Sequence, residues 1–324
     1  MELPLLSVVI AARPEQREIA AVRAACQLDY PRERLQILVA RGRQPSVQRN
    51  TAIRQARGEW IYFLDDDSMP SPGNAQRSLP HLADAKVVVI GGPNLCPPEA
   101  PPLEAAFGAV MANTLAFGPS AARYRATGDV RDSTEKELIL CNLFMRRDAL
   151  IEAGGFDEAL YPNEENALMD HLLRQGYRLI YDPELWIYRR PRTTLGSFMR
   201  MVFTYGRGRA EQVRLHPTAG SLINCAPALF CVYLALLPWL PLWAFVGLGV
   251  YILMVLGSVL APSREQSMLR SGNVPLPPRV AWWKTAGLVL LTHLGYGFGF
   301  WRGLFTRLKP AENRTPIPVV VEEL

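Results

Sequence analysis

Three adjacent carboxylates, Asp65, Asp66 and Asp67, follow the apolar run Trp60 to Leu64 in the stretch GEWIYFLDDDSMPSPG. Neighbouring carboxylates repel one another and resist desolvation, so such a cluster wants either open solvent or a bound cation. Hard cations such as Mg2+ and Mn2+ take oxygen ligands, typically one or two protein carboxylates plus substrate phosphates. If the strand period carries through the triplet, Asp65 and Asp67 share one face and Asp66 points away. Asp65 and Asp67 are therefore a candidate diphosphate–metal pair. The bland alternative is a solvated turn before the helix that begins after Ser71 and Pro72, since acids also favour helix N-termini. A second acidic pair, Glu164 and Glu165, opens the helical stretch PNEENALMDHLLRQGY, where either residue alone reads as capping charge. The lone histidines His171 and His216 read as structural.

The elements that must position these groups alternate. Leu5 to Ala11, Leu35 to Ala40, Trp60 to Leu64 and Lys86 to Gly91 are strand-like, and Glu15 to Leu28 and Ser46 to Arg57 are helical. That order predicts an α/β fold with a mainly parallel sheet flanked by helices. Ligands of such sheets bind beyond the carboxyl ends of the strands, where the aspartates fall. An aspartyl-phosphate hydrolase would instead carry its acidic motif on the first strand.

Composition divides the chain of 324 residues. Apolar residues make up 49% of it, and from Leu215 to Ser263 there is no Asp, Glu, Lys or Arg. Leu222 to Ala261 is long enough for two spans of roughly 20 residues each, turning at Pro238 to Pro241. A third segment, Thr285 to Trp301, is glycine-rich, and a re-entrant or interfacial helix competes there with a true span. The expected organisation is a cytoplasmic catalytic domain at 1–215, a membrane region at 216–310 with spans at about 222–240, 242–261 and a candidate third at 285–303, and a tail at 311–324. The net charge of +5 comes with no basic run interleaved with aromatics, so nucleic acid is not an expected partner. Arginines flanking the apolar segments suit anionic lipid and place the catalytic part on the cytoplasmic side. The five cysteines form no CxxC or Cys/His ligand set, which favours a reduced, metal-free reading of them. The amino-terminal apolar stretch lacks a basic n-region and reads as a first strand, not a signal peptide.

The segment SVQRNTAIRQARGEWIYFLDDDSMPSP resembles the central motif of family 2 glycosyltransferases, and CNLFMRRDALIEAGGFDEALYPNEENALMDHLLRQGYRLIYDPELWIYRR resembles their acceptor half. The later FTYGRGRAEQVRLHP and the apolar tail look most like bacterial membrane enzymes of the succinoglycan and exopolysaccharide type. The resemblance implies a GT-A-like fold and inverting, Mn2+- or Mg2+-dependent hexosyl transfer from a nucleotide-sugar, UDP-linked, to a polyprenyl-linked saccharide. It also implies a multi-pass inner (cytoplasmic) membrane protein that meets lipid and glycan-assembly partners. Position by position, it implies donor contacts from Glu15, Arg49, Asn50 and Asp65, metal binding by Asp67, and a general base at Glu165 with Glu164 beside it on the acceptor side. Arg207 and Arg209 fall near an acceptor element; GRGRAE fails the dinucleotide pattern, so its arginines read as contacts to phosphate or headgroup.

Three positions depart from the family pattern. Ala40, Arg41 and Gly42 stand where an Asp usually pairs with uracil, Glu165 replaces an Asp, and Ala167 and His171 replace an acid and an Arg. Transfer directly to polyprenyl phosphate is the nearest alternative activity, and a catalytically inactive membrane scaffold is the alternative from another class.

Overall fold

Alternation along the apolar runs builds the core. On the strand Trp60–Asp65, Trp60, Tyr62 and Leu64 join one buried cluster while Ile61 and Phe63 join another, so the sheet is covered on both faces. The computed structural model describes residues 3–158, 164–215, 224–260, 274, 278–306 and 318–324. Its strands are β1 (Leu6–Ala12), β2 (Leu35–Arg41), β3 (Trp60–Asp65), β4 (Met69–Pro70), β5 (Val87–Gly91), β6 (Asn94–Leu95), β7 (Arg131–Asp132), β8 (Asn142–Arg146), β9 (Arg178–Tyr181), β10 (Ile187–Tyr188) and β11 (Val320–Glu323). The helices are α1 (Ala20–Ala25), α2 (Pro45–Gln55), α3 (Asn74–Leu82), α4 (Pro102–Met111), α5 (Thr114–Phe117), α6 (Arg147–Glu152), α7 (Glu164–Arg174), α8 (Leu195–Leu215), α9 (Ala226–Leu236), α10 (Phe245–Leu260) and α11 (Trp282–Phe305).

The large sheet has the order β11-β2-β1-β3-β8-β5-β9-β7, and β4, β10 and β6 form a small second sheet. The expected mainly parallel sheet is corrected to a mixed one. β1 pairs in parallel with β2 and β3, and β5 with β9, but β8 runs antiparallel between β3 and β5. The reason lies in the path: β8 starts with Asn142 opposite Leu64, at the carboxyl end of β3, so the chain re-enters the sheet where it left and runs back. The helix expected over Glu15 to Leu28 shortens to α1, because residues 13–18 form the loop that leaves β1.

Carboxy-terminal to the sheet, the long amphipathic α8 packs against α11. Gly299 and Gly303 of α11 sit against the backbone of Phe203 and Arg207, and Gly206 of α8 sits against the carbonyl of Tyr296. A side chain at these glycines would force the helices apart, so the glycines of this segment serve close helix packing. Among the described residues, Leu242–Leu260 is long and apolar enough to cross a bilayer, and little of it is buried. The helix at Ala226–Trp239 is apolar but shorter. Residues 222–223 and 261 of the expected spans lie outside the described residues. The segment expected as a carboxy-terminal tail ends in β11, which pairs antiparallel with β2 at the sheet edge.

Candidate active site

β3 ends at Asp65, and the next two residues turn. Ser68 holds that turn: its hydroxyl accepts from the Asp65 amide at 3.2 Å and donates to the Cys141 carbonyl at 3.1 Å. The strand period therefore does not carry through the triplet, but the turn still brings Asp65 and Asp67 together. Both carboxylates reach one guanidinium, Arg189, at 3.1 Å from Asp65 Oδ2 and 2.7 Å from Asp67 Oδ1. The residue follows β10, which pairs with β4 just after the turn, so the small sheet delivers it.

A second arginine extends the chain of charges. Arg49, buried on α2, donates to Asp65 Oδ1 at 3.0 Å and to Glu164 Oε1 at 3.2 Å. Five groups thus line up as Glu164, Arg49, Asp65, Arg189 and Asp67, drawn from α7, α2, β3 and the segment after β10. Glu165 adjoins Glu164 at the start of α7 and is only half-buried; it has no hydrogen-bond or ion-pair partner among the described residues.

The electrostatics follow from that order. Burial works against ionisation of Asp65, but Arg189 and Arg49 outweigh it and hold the carboxyl below its ordinary value. For Asp67 burial prevails over Arg189, helped by the charges of Asp65 and Asp66, and the carboxyl is raised. Burial and the neighbouring Glu165 charge push Glu164 up to about 7 against the pull of Arg49. One acidic pair is thus divided into a desolvated carboxyl committed to Arg49 and a more accessible one beside it.

The other sequence-predicted residues fall elsewhere. Asn50 braces the GGFDE segment: its side chain donates to Phe156 O at 2.8 Å and to Glu158 Oε1 at 2.9 Å, and accepts from Phe156 N at 2.9 Å. Gly155 has φ +77° there, and a Cβ on it would lie 2.6 Å from Asn50 Oδ1, so both conformation and space demand glycine. Glu15 is exposed on the loop after β1 and pairs with Arg43. Arg207 lies 3.5 Å from Glu211, and Arg209 donates to Gln212 at 2.9 Å, both within α8. Neither arginine lines the cavity of about 370 Å³ that opens beside Asp67 between β6, α4 and α8; its polar lining includes Asn94, Arg189, Arg192, Ser197, Tyr124 and Tyr205. Sequence reasoning missed Arg189. Its only signal is a position among the arginines of WIYRRPR, with no spacing that links it to residues 65 and 67.

Two carboxylates converging on one point are the donor set that a hard cation shares with a diphosphate, so Asp65 and Asp67 fit such an ion. Among the described residues, no group of three or more His, Cys, Asp or Glu is arranged to hold a metal by protein ligands alone.

Residues 17–153, which carry β2 to β8 with Arg49 and the aspartates, match Glycosyl transferase family 2. That segment is similar to the family 2 glycosyltransferases. The chain is 29% identical over 170 residues to the succinoglycan biosynthesis protein ExoA of Rhizobium meliloti, covering 49% of this chain and 46% of that protein. It is 26% identical over 207 residues to the pre-mycofactocin glycosyltransferase of Mycobacterium tuberculosis, covering 63% of this chain and 41% of the relative. The matched region thus spans less than half the length of these relatives. The fold is GT-A-like: the mannosyltransferase PcManGT from Pyrobaculum calidifontis, solved in complex with GDP-Man and Mn2+, superposes with a TM-score of 0.57 at 16% identity, covering 91% of this chain and 87% of that one.

Proposed function

We propose that this protein is an inverting glycosyltransferase that moves a sugar from a nucleotide-sugar to a lipid-linked saccharide at the cytoplasmic face of a membrane. The observation that carries this reading is the line of charges from Glu164 through Arg49, Asp65 and Arg189 to Asp67, with Glu165, which has no ion-pair partner among the described residues, beside Glu164. Asp65 and Asp67 would hold the divalent cation, which when bound supplies positive charge opposite the departing diphosphate. Arg49 keeps Asp65 ionised and aimed, and Arg189 shares the oxygens that the cation needs. Glu165 takes the proton from the acceptor hydroxyl as the new bond to the anomeric carbon forms and the bond to the diphosphate breaks, with the electron pair leaving on the phosphate oxygen. Attack from the side opposite the leaving group inverts the anomeric centre.

Membrane attachment is supported by the apolar surface of the carboxy-terminal helices. Leu242, Trp243, Val246 and Leu253 are largely exposed, an apolar area beyond what a soluble surface usually carries. In this protein the catalytic part would occupy 1–215 and a multi-pass membrane part 216–310. An exopolysaccharide setting is supported by the likeness to a succinoglycan biosynthesis protein. Direct transfer to a polyprenyl phosphate is a second reading, favoured by Arg189 and Arg192 in the cavity wall, where a phosphate-bearing acceptor would meet two cations.

One experiment decides most of this: purified full-length protein in detergent, with Mn2+ and a panel of nucleotide-sugars, should hydrolyse or transfer from one donor well above the rest. No turnover of any donor would favour the inactive scaffold. Two variants test the aspartate pair with opposite signs. Asp67→Asn should abolish the Mn2+ dependence of nucleotide binding, because a neutral amide is a poor ligand for a hard cation. Arg189→Gln should tighten binding of Mn2+ alone, read by titration calorimetry, because the competing guanidinium is gone. Unchanged Mn2+ affinity in both variants would remove the ion from residues 65 and 67.

A further inference from the structure

β11 is a short strand from the far end of the chain, yet it is pinned along β2. Val320 pairs with Arg41, Val321 with Ala40, Glu322 with Val39 and Glu323 with Leu38, and the Leu324 amide donates to Ile37 O at 3.0 Å. Val319 and Val321 pack onto the core cluster beneath α2, and Val319 lies against Gly42. The two acids have separate partners. Glu323 pairs with Arg57 and accepts from Gln36 at 3.2 Å, at the back of the sheet. Glu322 accepts from Arg41 Nε at 2.8 Å, at the carboxyl end of β2.

Arg41 does not stop at Glu322. Its Nη1 donates to Gln16 O at 2.7 Å and to Arg13 O at 3.4 Å, so the same guanidinium holds the loop that leaves β1. That loop carries Glu15, which reaches back to Arg43 after β2. Its residues 13–15, 17 and 18 are exposed, so little apolar packing fixes it, and the Arg41 bonds together with the Glu15–Arg43 pair tie it to the end of β2.

The position of the loop gives this tie a meaning. The chain runs from β1 out to β2 on one side and returns to β3 on the other, so β1 is the point where strand order reverses. Open α/β sheets bind nucleotides in the crevice outside the carboxyl ends at such a switch point. One wall of that crevice is the turn with Asp65 and Asp67, and the other is the loop of residues 13–16.

Resting on the nucleotide-sugar reading above, we infer that Glu322 is a positioning residue for the donor: through Arg41 it sets the 13–16 loop against the nucleoside part of the nucleotide-sugar. The carboxy-terminal strand is in this sense part of the donor site, supplied from beyond the apolar helices. Glu322 neutralises Arg41 on one side and fixes its plane, which aims Nη1 at the two loop carbonyls.

The test uses the full-length protein and the nucleoside diphosphate of its best donor, with affinity from titration calorimetry and KM and kcat from steady-state turnover. Glu322→Ala should weaken nucleotide binding and raise donor KM about 10-fold, with kcat within about twofold, the effect of losing one charge-assisted hydrogen bond in the relay. Glu322→Gln should recover most of the affinity, because the amide oxygen still accepts from Arg41. Glu323→Ala is the control: it loses partners on the same strand but none at Arg41, and should change thermal stability more than affinity. Parent-like affinity in Glu322→Ala would overturn the inference, as would an equal loss in Glu323→Ala, which would make strand docking alone responsible. A parent that turns over donor while Glu322→Ala lowers kcat with KM unchanged would also overturn it. A parent that binds no nucleoside diphosphate would overturn the donor reading itself, and this inference with it.

Discussion

Glu165→Gln should lose glycosyl transfer by about 10²- to 10⁴-fold, the usual contribution of a general base, while binding donor like the parent and melting within a few degrees of it. The substitution keeps the shape of the side chain and removes only its capacity to take a proton. Glu165 is half-buried with no ion-pair partner among the described residues, so little folding energy depends on its charge. Glu164 differs on each count: it is buried, it accepts from Arg49, and burial together with Glu165 pushes it up to about 7. Glu164→Gln should therefore change stability and the setting of Arg49 more than proton transfer. Single-turnover rates on the two variants, with donor affinity measured separately, distinguish the roles. Transfer that survives in Glu165→Gln and vanishes in Glu164→Gln would exchange the assignments.

Arg49→Met should destabilise the fold by about 3–5 kcal/mol, the cost of breaking a buried ion pair from one side. The guanidinium is buried and answers both Glu164 and Asp65, so its removal strands the buried Glu164 carboxyl and leaves Asp65 with Arg189 alone. The Glu164 share of that deficit has a definite pH sign. With its folded value at about 7 against an ordinary 4.5, Glu164 contributes most below pH 4.5 and loses that contribution as pH rises towards 7. Removing Arg49 takes away the partner that holds the value down, so the gap in stability between parent and variant should widen between pH 5 and pH 8. Urea unfolding across that range measures it, and a gap that narrows with rising pH would contradict the pairing. Donor turnover should fall with Arg49→Met as well, since Asp65 loses the bond that aims it at the crevice.

Elements defined by local pattern were legible in the sequence. Four apolar runs became β1, β2, β3 and β5 with ends shifted by a residue or so, because a strand buried on both faces must be continuously apolar. The placement of Asp65 to Asp67 beyond a strand end was legible for the same reason, since the polar residues begin where burial stops. Apolarity of Leu242 to Leu260 needed no partner to be recognised.

What required tertiary structure was every decision made between distant segments. Nothing near Asn142 to Arg146 marks β8 as antiparallel; the direction follows from where the chain re-enters the sheet. Asn50 read as a donor contact and Arg189 as one arginine among several, yet folding sets Asn50 to brace Gly155 and Phe156 and brings Arg189 across from the small sheet to both aspartates. The last residues, VVVEEL, read as a tail because a strand of four residues has no stability of its own. It forms only where the open edge of β2 offers backbone partners and Arg41 and Arg57 offer charge, and the sequence shows neither the edge nor the arginines as neighbours of Glu322 and Glu323. The sequence by itself determined which residues are apolar, acidic or basic, and hence the local elements and the chemistry on offer. The tertiary structure decided which charges meet, because a pairing between segments hundreds of residues apart depends on the whole sheet closing around them.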